Sequence, residues 1–151
     1  MKAITIIQPW ATLIAIGAKH LETRSWPTKH RGTLAIHAGK KVDREACERE
    51  PIKSTLAEHG FSADNLPTGA VVATCNLSEC WSIGEDYQSS MPALFNGEDG
   101  ATKPVGLKEG RFGNYETGRH AWELTDIKQL PELIPAKGRQ GLWNWTGGPH
   151  L

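Results

Sequence analysis

Short apolar segments of strand character recur along this chain at unequal intervals, and the helical patterns between them all fall before residue 61. Ile4–Ile7, Leu21–Trp26, Gly32–Ala38, Ala70–Leu77, His120–Leu124 and Gly141–Trp145 are each rich in β-branched or alternating apolar residues and bounded by turn residues. Helices are expected from Pro9 to about Ile16, with Gly17 as the stop, from an Asp43 cap to about Arg49, and from Pro51 to Gly60. Repeated βαβ units would need regular crossovers, so the irregular spacing predicts an α+β domain. About six short strands in a chain of 151 residues most economically curl into a small β-barrel with helices on its flank. Gly39-Lys40-Lys41 is expected to turn the chain, as is Leu66-Pro67-Thr68-Gly69. Residues 83–114, polar with six Gly and two Pro, are expected as a long loop or a loop carrying one short helix.

A single domain, 1–151, is the natural division, with no internal repeat. Lys+Arg and Asp+Glu stand at 17 each, so the formal charge is zero. That balance speaks against coating nucleic acid by bulk charge and leaves room for a local basic groove. No apolar run approaches the roughly 20 residues of a membrane span, and Met1–Ile7 is too short for a signal peptide. A soluble cytoplasmic protein is expected. Cys47, Cys75 and Cys80 are odd in number, which fits a reducing compartment better than a disulfide framework. Cys75 and Cys80 are not joined by a second Cys/His pair at zinc-like spacing, although His37 and His59 lie upstream. Neither metal nor cofactor is expected, and no P-loop, GxGxxG, HExxH or GxSxG pattern occurs.

Charge concentrates in Gly17-Ala18-Lys19-His20-Leu21-Glu22-Thr23-Arg24-Ser25-Trp26, where a helix end passes into a strand. Alternation puts Glu22, Arg24 and Trp26 on one face and Leu21, Thr23 and Ser25 on the other. Lys19 falls on the wrong face of a regular strand and joins the others only from a turn after Gly17. A carboxylate between two cations stays ionised and accepts hydrogen bonds from the amino and imino edges of a base. The cations would hold a phosphate or carbonyl, and Trp26 or Trp10 would stack on the ring. The same spacing also describes a solvated strand face with a surface ion pair worth about 0–1 kcal/mol. Six Trp against three Phe and two Tyr is a heavy bias, and core filling accounts for most of them.

The segment Gly17-x-Lys19-x-x-Glu22-x-Arg24 resembles the GxKxxExR motif of the ASCH domain family, relatives of the PUA-like barrels. Ile7-Gln8-Pro9-Trp10-Ala11 is similar to the family's opening QPWA segment, and Arg31–Ala38 to its RGxLxIHA strand. Leu66–Ala73, Gly118–Leu124 and Gly138–Trp143 resemble later strands in the family's order, with 83–114 the least matched. The resemblance implies a PUA-like barrel with a cleft beside the motif that binds RNA or a nucleotide. Lys19, Glu22 and Arg24 inherit the motif's polar roles, and Gln8 and Trp10 would pack at or near the cleft, Trp10 equally as core.

Three functions follow from the resemblance. The favoured one is recognition of single-stranded RNA or a modified nucleobase, nucleoside or nucleotide, with no membrane partner. The second is an amidohydrolase acting on N4-acetylcytidine, as in some small proteins of this fold, which use a Lys and a Thr of the same motif region. Here Glu22 stands in place of that Thr, and Thr23 is expected on the opposite face. Glu22 as base with Lys19 as electrophilic partner would then be the catalytic pair. The third is a metal-independent ribonuclease using Lys19, Glu22 and Arg24. His37, on a strand, is more often a core residue than a catalyst.

Overall fold

The computed structural model describes residues 1–97 and 100–147. Its strands are β1 (Lys2–Gln8), β2 (Leu21–Arg24), β3 (Gly32–Val42), β4 (Ala70–Glu85), β5 (Pro92–Phe95), β6 (Thr102–Pro104), β7 (His120–Pro135) and β8 (Leu142–Asn144). The helices are α1 (Trp10–Ala15), α2 (Arg44–Cys47), α3 (Ile52–Glu58) and α4 (Leu107–Phe112). All strands belong to one sheet in the order β2-β7-β4-β3-β1-β8, with β5 added to β4 and β6 to β5. Only β1 and β3 run parallel, so the sheet is mixed and the domain is α+β.

The sheet curls without closing, which corrects the expected barrel. Its end strands β2 and β8 do not pair. Curl comes from register shifts between β4 and β7 and within the β3 pairings, since extra residues in one strand bend it and increase its twist. Asp126, at φ 50°, sits in one of these irregularities, a conformation that Asp tolerates better than most residues.

Inside the curl lies α1, against β1, β3, β4 and β7. Ala11 to Ala15 are all buried, as a short helix apolar on every side must be. One side of α1 joins Ile4, Ile6, Leu34, Ile36, Val72, Leu77, Trp122 and Leu124 in the main core. Leu13, on its other side, packs with Ile52 and Leu56 of α3 and Phe112 of α4. Gln8 fixes the helix start. Its Oε1 accepts from the Thr12 N–H at 2.9 Å, and its Nε2 donates to Thr12 Oγ1 and to the Pro67 carbonyl.

Three expected boundaries move. Gly39-Lys40-Lys41 is strand, not turn, because β3 continues beside β1 until Val42 meets Gln8. Residues 83–114 carry the one short helix of the expected alternative, α4, but also the end of β4, then β5 and β6, packed around Ile83, Leu94, Val105 and Tyr115. The strand beginning at His120 runs on to Pro135 because β4 supplies its ladder. Asp43 caps α2 as expected, accepting from the Ala46 N–H at 3.0 Å. Among the described residues, no helix is long and apolar enough to cross a membrane.

Candidate nucleotide-binding cleft

One edge of β2 is taken by β7, with Glu22 opposite Trp122 and Arg24 opposite His120. Its other edge faces β1 across a gap that a side chain spans. Arg24 Nη2 donates to the Thr5 carbonyl of β1 at 2.7 Å and lies 3.2 Å from Glu22 Oε2. A cleft of about 330 Å³ occupies this gap, at the small end of the roughly 300–1,000 Å³ range of ligand pockets. Glu22 is 7% exposed. Because the cleft follows a free strand edge, side chains of both parities border it: Glu22, Arg24 and Trp26, but also Thr23 and Ser25. Strict alternation, which sends Thr23 and Ser25 away, does not hold at this edge.

Lys19 arrives from the helix, not the strand. Gly17 adopts φ 81°, the left-handed conformation that glycine reaches without steric cost, and the N–H groups of Ala18 and Lys19 both donate to the Leu13 carbonyl. That reversal lays Lys19 into the cleft floor with 1% of its surface exposed. Its ammonium donates to the Leu21 carbonyl, lies 3.7 Å from Glu109 Oε2 and sits 5.7 Å from the centroid of the Tyr115 ring. Glu109, on α4, also accepts from the Tyr115 hydroxyl at 3.0 Å and from the His20 N–H. The chain passes close here, and a Cβ on Gly113 would stand 3.1 Å from Lys19 Nζ, tight enough that the lysine would have to give.

Burial pushes the Lys19 pKa down, and the Glu109 and Glu22 carboxylates oppose that only in part. The sign of the stability effect follows. Between the depressed folded value and the ordinary 10.5, the unfolded chain holds more proton than the folded one, so stability rises with pH across that window. Below it the cost of the buried ammonium is present in full, about 1.4 kcal/mol for each unit of depression. The unfolding free energy of wild type relative to Lys19→Met is therefore expected to climb towards 10.5. Cys75, pushed up to about 12 by burial, acts in the opposite sense but is common to both proteins. Urea titrations showing a flat difference over that range would mean that the ammonium is not desolvated.

Trp26 borders the cleft edge-on to Trp122, with ring centroids 4.9 Å apart and planes at 85°. Trp10 also lines it, while its indole N–H donates to the Phe112 carbonyl and its body packs into two cores. Gln8 does not line the cleft. It is fully buried and spends its amide on α1 and Pro67, so the expected place at the site gives way to a structural one. Arg119 reaches the cleft with Nη2 donating to the Thr23 carbonyl at 3.2 Å. The buried Nε donors of Arg24 and Arg119 have no partner among the described residues. Three cations (Lys19, Arg24, Arg119) and one carboxylate (Glu22) thus line the cleft, which favours an anionic or acceptor-rich ligand.

Residues 4–133 match the family model of the ASCH domain, a span that holds the cleft and all of the sheet but β8 and the ends of β1 and β7. The chain belongs to the ASCH domain family. That family is linked to RNA binding. The chain is 34% identical over 99 residues to activating signal cointegrator 1 of Homo sapiens, and 32% identical over 99 residues to the same protein of Mus musculus. Each match takes in 64% of this chain and 17% of the relative, so the ASCH domain corresponds to a small part of those proteins.

The ASCH motif residues Lys19, Glu22 and Arg24 therefore converge on one cleft with Trp10 and Trp26. Sequence reasoning missed Glu109, Asn114 and Arg119. Arg119 lies in a segment with a family-like pattern, yet nothing local marks it as a cleft residue. Glu109 and Asn114 fall in the stretch read as loop, which has no periodicity to orient them. Among the described residues no group of three His, Cys, Asp or Glu side chains gathers in a way that would hold a metal ion.

Proposed function

We propose that this ASCH domain binds one nucleotide of single-stranded RNA, or the corresponding nucleoside, in the cleft along β2. The observation that carries this reading is the Glu22–Arg24 pair on the cleft wall, flanked by Trp10 and Trp26 and joined by unpartnered guanidinium donors. Glu22 accepts from base amino or imino hydrogens, the two arginines hold a carbonyl or phosphate oxygen, and the Trp rings cover the base. The sheet curled about α1 fits the PUA-like arrangement that the motif implies, left open at the β1–β2 gap where the ligand enters.

A second reading, an amidohydrolase on N4-acetylcytidine, is favoured by one pair of neighbours. Lys19, its ammonium disfavoured by burial, and Thr23 Oγ1 both stand against Gly113. A lysine biased towards the neutral amine beside a hydroxyl is the pairing that a nucleophile and its base require. The test is a panel of nucleosides, N4-acetylcytidine and short RNAs, followed by thermal shift and by chromatography of products. Stabilisation without turnover is the expected result. Release of cytidine and acetate from N4-acetylcytidine would replace the binding reading with the hydrolytic one, and silence across the whole panel would remove both.

A further inference from the structure

A second cleft, of about 400 Å³, lies on the other side of β1 and shares Thr5 with the first. The Thr5 carbonyl takes the Arg24 guanidinium on one side, and its hydroxyl meets His37 Nδ1 on the other at 3.1 Å. Lys40, Lys137 and Arg139 line this second cleft, exposed, with no carboxylate among the lining residues. None of the three is ion-paired among the described residues, although the protein as a whole carries as many acids as bases. Between the cations the wall holds three glycines, Gly39, Gly69 and Gly138, beside Thr5, His37, Ala136 and Gln140. Gly138 lies close against Thr5 and His37, since a Cβ there would fall 2.6 Å from Thr5 Oγ1 and 2.7 Å from His37 Cε1 and would force those side chains to shift. That close approach pins the segment between Lys137 and Arg139 to the β1–β3 surface. His37 Nε2, facing the Ala136 carbonyl at 2.7 Å, carries the proton and donates it, which anchors the same segment.

We infer that this second cleft holds the phosphodiester adjoining the nucleotide bound along β2, so that one RNA strand crosses β1 at Thr5. The inference rests on the nucleotide-binding reading of the first cleft and adds a backbone subsite to it. Three cations without counter-charges, on a wall where glycines leave room for close approach, suit phosphate oxygens, which need charge but no base-specific contact. The opposite flank of the first cleft suits a phosphate less well, since Arg49 and Arg111 there are accompanied by the Glu50 carboxylate.

The experiment compares cytidine and guanosine with mixed-sequence RNA pentanucleotides across a salt series, using the whole chain and the double variant Lys137→Gln/Arg139→Gln. Wild type is expected to bind a pentanucleotide more tightly than either nucleoside. Its log affinity should fall with log salt by about 0.7 for each phosphate contacted. The double variant should flatten that slope by up to about 1.4 for two lost contacts, leaving nucleoside affinity and melting temperature unchanged. Pentanucleotide affinity and slope identical in the two proteins would overturn the subsite. Failure of the nucleosides to bind, with pentanucleotide binding still dependent on Lys137 and Arg139, would instead sink the first-cleft reading and keep the subsite. Absence of pentanucleotide binding in wild type overturns the subsite, and overturns both if the nucleosides are also silent.

Discussion

Trp122→Ala is expected to lower the free energy of unfolding by about 3–5 kcal/mol, the range for truncating a fully buried aromatic. Trp122 has no exposed surface and is the largest side chain in the main core, where strands β1, β3, β4 and β7 meet α1. The change reaches the cleft as well. Trp26 stands edge-on against Trp122, so the cavity would remove the surface that holds Trp26 upright, and ligand affinity should fall with stability. Trp122→Phe separates packing from polarity. The Trp122 indole N–H is buried with no partner among the described residues, so phenylalanine loses volume but no hydrogen bond and should cost less than alanine does. Urea midpoints of the three proteins check this. A loss below about 1 kcal/mol in Trp122→Ala would mean that the core collapses around the site and that Trp122 does not brace Trp26.

What could be read beforehand follows from where the determining contacts lie. β1, β2, the first half of β4 and the start of β3 are legible because β-branched and alternating residues between turn signals state a strand locally. The second half of β7 is not. Thr125–Pro135 contains Asp126, Lys128, Gln129 and Pro131, a composition that argues for a loop, and it is a strand because β4 lies beside it. The same holds for Gly39–Val42, extended by β1 against its local turn chemistry. Barrel closure could not be judged from strand count, because it depends on whether two short end strands meet, and here a single arginine bridges β2 to β1.

The site divides in the same way. Convergence of Lys19 with Glu22 was legible as a condition, a turn after Gly17, and Gly17 at φ 81° meets it. The depth of Lys19 was not, because its cover is Glu109, Tyr115 and Gly113, about ninety residues further along the chain. Gln8 shows the reverse error. A polar residue beside the motif resembles a ligand contact, yet its position just before α1 makes it the group that satisfies Thr12.

Glu22→Gln should weaken recognition of bases with amino or imino donors by about 1–3 kcal/mol, roughly 5- to 150-fold. The substitution keeps the shape and one acceptor oxygen but removes the charge and one of the two acceptors. Loss should therefore be greatest for guanine, whose N1–H and N2–H₂ can meet both carboxylate oxygens, smaller for cytosine, and least for a base offering no amino group. The fold pays less. Arg24 loses its ion pair but keeps its bond to the Thr5 carbonyl and remains 25% exposed, so a cost of about 1 kcal/mol is expected in urea. Titration of each nucleoside against both proteins reads the pattern directly. A uniform drop across all bases would mean that Glu22 acts only by holding Arg24, and Arg24→Lys should then reproduce it. Equal affinities for every base would remove Glu22 from recognition. Binding retained with cytidine release from N4-acetylcytidine abolished would instead make Glu22 part of the hydrolytic machinery beside Lys19.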